Sequence, residues 1–236
     1  MHSHTRAIRA LRRIRAFVSH EIMYSARIVY YRLRYRDDSV FSVIYRTRAW
    51  GDGTSASGGG SDLAETECLR DVLPNLLEEL GVRSLLDAPC GDFHWMSLLH
   101  LDLESYFGVD IVEPLIQKNK ERYETDRVRF FRMDITKDEL PTSDLILCRD
   151  CMVHMSNEDI QLTLQNFKRS GARYLLATTY PGTVERNKNV LTGMWRYLDL
   201  QRPPFNFPPP LRLIDERTKE AYQGKSLGLW SFNQIL

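Results

Sequence analysis

The sequence predicts a doubly wound α/β fold: a mostly parallel seven-stranded sheet, helices on both faces, and an antiparallel pair of strands at its C-terminal edge. Three observations predict it. Short apolar stretches alternate with helix-length stretches from residue 84 to residue 178, as in a parallel sheet with helical crossovers. The strands are apolar on both faces, as in LILC (145–148) and YLLAT (174–178), which suits a sheet covered on both sides. The pattern breaks at RPPFNFPPP (202–210), which holds five of the ten prolines, and two more strand-like stretches follow it.

The elements read in order as follows. Ile8, Leu11, Ile14, Phe17, Val18 and Ile22 recur at helical spacing with arginines between them, so residues 6–35 form one or two basic amphipathic helices. Their apolar side packs on the body of the protein with a solvated arginine face, or it meets anionic lipid or nucleic acid. GDGTSASGGGS (51–61) has the composition of a flexible linker. Its glycines equally allow an ordered gate whose backbone approaches a ligand. Residues 63–80 form a helix kinked or broken at Pro74 and closed by Gly81. Strand 84–87, helix 93–100, strand 105–110, helix 113–123, strand 128–133, strand 144–148, helix 157–170 capped by Gly171, and strand 173–178 follow. The proline stretch runs as an extended surface connection, since no helix interior or central strand tolerates it. Residues 211–215 and 226–232 are the edge pair. The organisation is a basic arm (1–49), a linker or gate (50–61) and one domain (62–236), without internal repeats.

Composition narrows the class. Of 236 residues, 43% are hydrophobic and 27% charged, which is ordinary for a globular chain. The net charge of +1 is unevenly spread: residues 1–50 carry 11 Arg, no Lys and 3 acids, so they hold +8 and the rest −7. A basic appendage sits on a mildly acidic body. Four cysteines, at 68, 90, 148 and 151, are too few for a disulfide framework and point to a reducing, cytoplasmic compartment. No run reaches the roughly 18 apolar residues of a membrane span. Residues 1–20 are Arg-rich and nearly free of acids, a faint likeness to a transit peptide, and no secretory signal is expected.

Ligands of open parallel sheets bind beyond the carboxyl ends of the strands. The first strand ends at Asp87, and Ala88-Pro89-Cys90-Gly91-Asp92 turns after it. Gly91 permits close backbone approach, and Asp87 can hold a ligand ammonium directly or through water. The second strand ends at Asp110, placed to accept both hydroxyls of a ribose, and Ile111 can pack on an adenine face. The third ends in Met133-Asp134-Ile135, where the acid can accept from an exocyclic amine. The acids at 87, 110 and 134 stand 23 and 24 residues apart, one strand–helix unit each. A dinucleotide site is disfavoured, because the glycines that cradle a pyrophosphate are missing.

In these features the chain resembles the class I S-adenosylmethionine-dependent methyltransferases. That family opens with Asp-x-Gly-x-Gly-x-Gly after its first strand. Here the motif stands as Asp87-Ala88-Pro89-Cys90-Gly91-Asp92-Phe93, with only the middle glycine kept. The resemblance covers about residue 62 to the end. It implies S-adenosylmethionine as cofactor, with Asp110 on the ribose, Asp134 on the adenine amine and Met133 and Ile135 flanking the ring. Asp87, Pro89, Gly91, Ile111 and Cys148 complete the expected cofactor contacts.

Methyl transfer from a sulfonium needs alignment and exclusion of water, and an oxygen acceptor also needs a base. The expected catalytic stretch is Cys148-Arg149-Asp150-Cys151-Met152-Val153-His154. His154 is a base by its ordinary pKa, or a helix-start histidine that shapes the pocket. Asp150 orients the acceptor or the base, or pairs with Arg149; Arg149 meets an anionic substrate or holds a loop acid. Cys148 and Cys151 read as packed thiols rather than a redox or zinc pair. Cys90 lies in the wrong loop for a nucleophile. The expected acceptor is a small molecule or glycan, methylated at oxygen; an RNA or protein acceptor held by the arm, and a non-catalytic binding module, are the alternatives. Peripheral membrane contact through residues 1–49 is a further expectation.

Overall fold

Neighbouring residues on each central strand enter different cores, and this makes the sheet a wall between two hydrophobic layers. In the computed structural model, which describes residues 22–35, 38–50, 55–216 and 223–235, β1 (Ser84–Asp87) sends Leu85 to one side and Leu86 to the other. In β4 (Leu145–Cys148), Leu145 and Leu147 join Leu85 while Ile146 and Cys148 join Leu86. The period-2 alternation of a strand with two buried faces accounts for the unbroken apolar runs.

The other strands are β2 (Ser105–Asp110), β3 (Val128–Arg132), β5 (Tyr174–Thr179), β6 (Arg212–Asp215) and β7 (Ser226–Ser231). They lie in the order β3-β2-β1-β4-β5-β7-β6. β1 to β5 are mutually parallel, and β7 runs antiparallel between β5 and β6. The expected seven-stranded, doubly wound sheet with an antiparallel edge pair is what forms. The order reverses between β1 and β4, which opens a crevice at their carboxyl ends.

The α-helices among the described residues are α1 (22–34), α2 (Val40–Arg46), α3 (Glu67–Glu79), α4 (Glu113–Tyr123), α5 (Asn157–Arg169) and α6 (Phe232–Ile235). α5 begins at Ser156, whose side chain accepts from the Asp159 N–H, an N-cap that satisfies one orphan donor. α3 is unbroken at Pro74. Leu69, Leu73, Leu76 and Leu77 are buried along one face, and that packing outweighs the hydrogen bond the proline removes. The expected helix over 93–100 is absent. A turn and a single 3-10 turn at Met96–Leu98 stand there instead. Phe93 takes a left-handed φ of 57°, and Phe93, Trp95 and Met96 are all buried in one cluster, a spacing no single helix face supplies.

The part of the amphipathic arm before residue 22 lies outside the described residues, as do 51–54. From residue 22 the inner face packs on the body. Ile28, Tyr31, Val40, Val43 and Ile44 form a third buried cluster with Trp50 and Met194 against it. Tyr24 donates to the Gly193 carbonyl at 2.8 Å and accepts from Trp50 Nε1 at 2.8 Å. Gly193 is the contact point: its φ is +102°, and a Cβ there would lie 2.9 Å from Val40 and 3.2 Å from Ile28.

Gly193→Ala is therefore expected to lower stability by about 2–4 kcal/mol, strain and overpacking together, read as a lowered urea midpoint. Gly182→Ala has the same backbone handicap at φ +72° but open space around the added carbon, so it isolates the strain alone, about 1–2 kcal/mol.

Candidate active site

A cleft of about 530 Å³ opens over the carboxyl ends of β1, β2, β3 and β4. Asp87, Pro89 and Gly91 line it from the β1 turn, Asp110 and Ile111 from β2, and Met133, Asp134 and Ile135 from the end of β3. The register brings these ends level, because β1 pairs with β2 through Asp87↔Gly108 and β2 with β3 through Asp110↔Arg132. All three acids spaced one unit apart in the sequence thus face one space.

Each acid is held differently. Asp87 is 4% exposed and accepts from the Tyr106 hydroxyl at 2.6 Å. Burial pushes its carboxyl up to about 7, against the pull of Tyr106 and Arg149. Asp110 accepts from the Val112 N–H at 3.0 Å and the Gly91 N–H at 3.2 Å. Burial still raises it to about 6. Asp134 is closed into its own turn, accepting from the Thr136 N–H and hydroxyl and pairing with Lys137 at 3.2 Å. Burial raises its pKa, but these partners win and the net shift is downward. Gly91 has φ +55°, and a Cβ would collide with Ser57 Oγ. Its carbonyl accepts from Asn119 Nδ2 at 2.7 Å. Cys90 is buried, and burial with Asp110 and Asp87 pushes its thiol well up.

The β4 end is built from charges. Arg149 is buried and donates to Glu216 Oε2 at 2.6 Å and to the Gly60 carbonyl at 2.7 Å. Its guanidinium lies 3.3 Å from Asp150 and over the Trp95 ring. Asp150 also meets Lys225 at 2.5 Å, and Lys225 lies 3.4 Å from Glu216. Lys225 and Glu216 have side-chain exposures of 1% and 0%. Burial opposes ionisation of Asp150, but Lys225 and Arg149 outweigh it and hold the carboxyl down at about 2. Asp150 has φ +51°, a left-handed conformation that costs a non-glycine residue about 1 kcal/mol or more. Its N–H donates to Thr178 Oγ1 at 2.8 Å. Asp150 and Arg149 line the cleft.

The described part of the Gly/Ser-rich stretch, 55–61, lies across both ends. Ser55 Oγ and the Ala56 N–H donate to Asp92, and the Asp92 N–H donates to Ser57 Oγ. A Cβ on Gly60 would fall 2.7 Å from Asp150 Oδ2. Two expected site residues are not in the cleft lining. Cys148 is fully buried in the core. His154 stacks on Trp50 at 5.1 Å, its Nδ1 has no hydrogen-bond partner among the described residues, and burial pulls its pKa down to about 4 against Asp150. Sequence reading missed Asn119, Tyr106, Glu216, Lys225 and the roof residues Phe41 and Trp50. Asn119 carried a signal: it sits on the buried face of α4 with Leu115 and Ile116. The charge partners carried none, since Glu216 and Lys225 meet Arg149 and Asp150 only in the fold.

Removing one member leaves buried charge unpaired, so Lys225→Met is expected to cost about 3–5 kcal/mol in urea unfolding. Thermal melts without ligand should show opposite pH effects at the two ends. Asp150 is lowered, so its contribution is present above its ordinary pKa and lost as pH falls toward 2. Asp87 and Asp110 are raised, so theirs is full below about pH 4 and lost as pH climbs through 6 and 7. Asp87→Asn should remove the upper part of that loss.

Residues 85–171, from β1 through α5, match the family model described as "Methyltransferase domain". The fold is shared with Burkholderia thailandensis 1,6-didemethyltoxoflavin-N1-methyltransferase (16% identity, 81% of this chain and 84% of that one, TM-score 0.56). It is shared too with magnesium protoporphyrin IX methyltransferase from Synechocystis PCC 6803 (15% identity, 80% and 90%, TM-score 0.54). The methyltransferase domain of bacterial CtHen1 is matched more loosely (16% identity, 49% of this chain, TM-score 0.44), and the chain spans 66% of its length. No curated protein matches the sequence. The methyltransferase model thus falls on β1 to α5, the part of the sheet that carries Asp87, Asp110, Asp134 and the β4 end.

Proposed function

We propose that the cleft binds S-adenosylmethionine along the ends of β1 to β3 and delivers its methyl group to an oxygen of a small-molecule or glycan acceptor held at the β4 end. The observation that carries the reading is the meeting of Asp87, Asp110 and Asp134 in one cleft beside Gly91. The residues fit the cofactor. Asp87 is a buried carboxyl short of a cationic partner, and an ammonium would supply one. Asp110 sits at the end of β2, where ribose hydroxyls are accepted. Ile111, Met133 and Ile135 offer apolar flanks for the adenine, with Asp134 at its edge. Pro89 shapes the turn, and Cys148 contributes through the core beneath it. When bound, the cofactor supplies an activated methyl carbon; the chain supplies alignment and a dry site.

Phe41, Trp50 and the 55–61 segment form the cover that excludes water, which is the gate reading of that segment. Asp150, ionised and fixed by two cations, accepts from the acceptor hydroxyl and orients it; as the S–C bond breaks and the O–C bond forms, the oxygen's proton becomes strongly acidic and passes by way of the Asp150 carboxylate to water. Arg149 fixes the loop through Gly60 and Glu216. Of the two roles for His154, its stacking on Trp50 and lowered pKa favour the shaping one. Four cysteines without disulfide partners support a cytoplasmic setting.

Asp110→Ala is expected to abolish binding of S-adenosylhomocysteine in calorimetry with the thermal melt retained; unchanged affinity would place the cofactor elsewhere. Because Asp87 ionises near 7 without ligand, affinity should rise roughly 25-fold from pH 5.5 to 7.5. A flat profile separates the ammonium from Asp87. His154→Phe, which keeps the stacking, should hold turnover within about threefold, whereas a base would lose on the order of a hundredfold.

A further inference from the structure

We infer that α1 is an interfacial helix whose outer face seats the protein on anionic lipid. At the 3.6-residue repeat of a helix, Tyr24, Ile28 and Tyr31 fall on the side that packs against the body. The opposite side is apolar as well. Ile22, Met23, Tyr30 and Leu33 are 63%, 62%, 57% and 63% exposed, and Val29 is 39% exposed. Arg27 and Arg34 flank this face on one side and Arg32 on the other, all three exposed. A helix with an apolar centre and basic flanks lies in the plane of a bilayer surface, its chains buried at the headgroup boundary and its guanidinium groups reaching phosphates. No described helix is long and apolar enough to cross a membrane, so the contact is with a surface.

Charge selects lipid over other occupants. The first 50 residues hold 11 Arg and 3 acids, and five of those arginines precede residue 16. A second copy of the same face would set arginine flanks against arginine flanks. Anionic lipid complements them, each basic side chain near the surface adding roughly fivefold to binding. The same helix supplies Tyr31 to the cleft, so the docked surface and the cleft share an element.

The test is co-sedimentation of the full chain with phosphatidylcholine vesicles, with and without phosphatidylglycerol. Binding is expected only with the anionic lipid and should weaken with salt. Ile22→Glu/Leu33→Glu, placed on the exposed face, should lower it by at least about tenfold, with the thermal melt and the affinity for S-adenosylhomocysteine unchanged. Absence of wild-type binding overturns the inference. So does equal binding by the double variant, which would assign the affinity to terminal charge alone. A wild-type dimer in light scattering that the double variant dissociates makes the occupant a second copy and overturns it as well. Cofactor affinity reports on the methyl-transfer reading separately, so either can fail with the other intact.

Discussion

The β4 end of the cleft depends on the pairing of Arg149 and Asp150 with Glu216 and Lys225. These two cations and two anions come from the β4 end and from the two sides of the β6–β7 connection. Taking four charges out of water is costly, and their mutual attraction offsets that cost only when geometry is good and the remaining groups are bonded. Here the set is internally neutral, and Arg149 also donates to the Gly60 carbonyl. An ion network of this kind is a weak source of stability but a strong source of position. It fixes one loop, one edge hairpin and one cover segment relative to each other, and it holds Asp150 in a backbone conformation it would not choose alone.

The two ends of the cleft are electrostatic opposites. Asp87 and Asp110 are buried beside hydrogen-bond donors with no ion pair among the described residues, and burial outweighs the pull of Arg149 on Asp87, so their carboxyls rise. Asp150 is flanked by Lys225 and Arg149, so its carboxyl falls. Burial alone therefore does not decide the state of an acid; the nearest charge does. A cationic ligand gains most where the carboxylates lack a partner, at β1 and β2. A neutral hydroxyl is oriented best where the carboxylate is already committed to its charge, at β4. The proposed division of the cleft into a cofactor end and an acceptor end follows from this contrast.

Much of the fold was legible because its signals are local. The β2 and α4 limits agree with the sequence reading to the residue, since Gly108-Val109-Asp110 and Pro114 mark them sharply. The spacing of Asp87, Asp110 and Asp134 was legible because each strand–helix unit has a nearly fixed length. The turn at Phe93 was not, because its helical pattern is overridden by tertiary packing. The partners of Arg149 were not, because a charge pair across 67 residues leaves no periodic trace. The placement of His154 under Trp50 was not, because a histidine after a strand reads alike whether it faces a ligand or a ring.

The reduced glycine motif has a physical explanation in the same turn. Gly91 is the position where a side chain is excluded, both by its φ and by Ser57 above it. Phe93, where the family carries a glycine, points away from the cleft and packs among Tyr106, Tyr123 and Phe130 with ring centroids 5.0–5.1 Å apart. Tyr106 in that cluster is the donor to Asp87. Substituting Phe for Gly therefore does not narrow the cleft. It braces, from behind the sheet, the hydroxyl that bonds the carboxylate on which an ammonium would rest. Asp92, between them, anchors Ser55 and Ala56 of the cover. A turn that gives up flexibility in this way gains a fixed roof and a fixed floor, and the single glycine it retains is the one the roof requires.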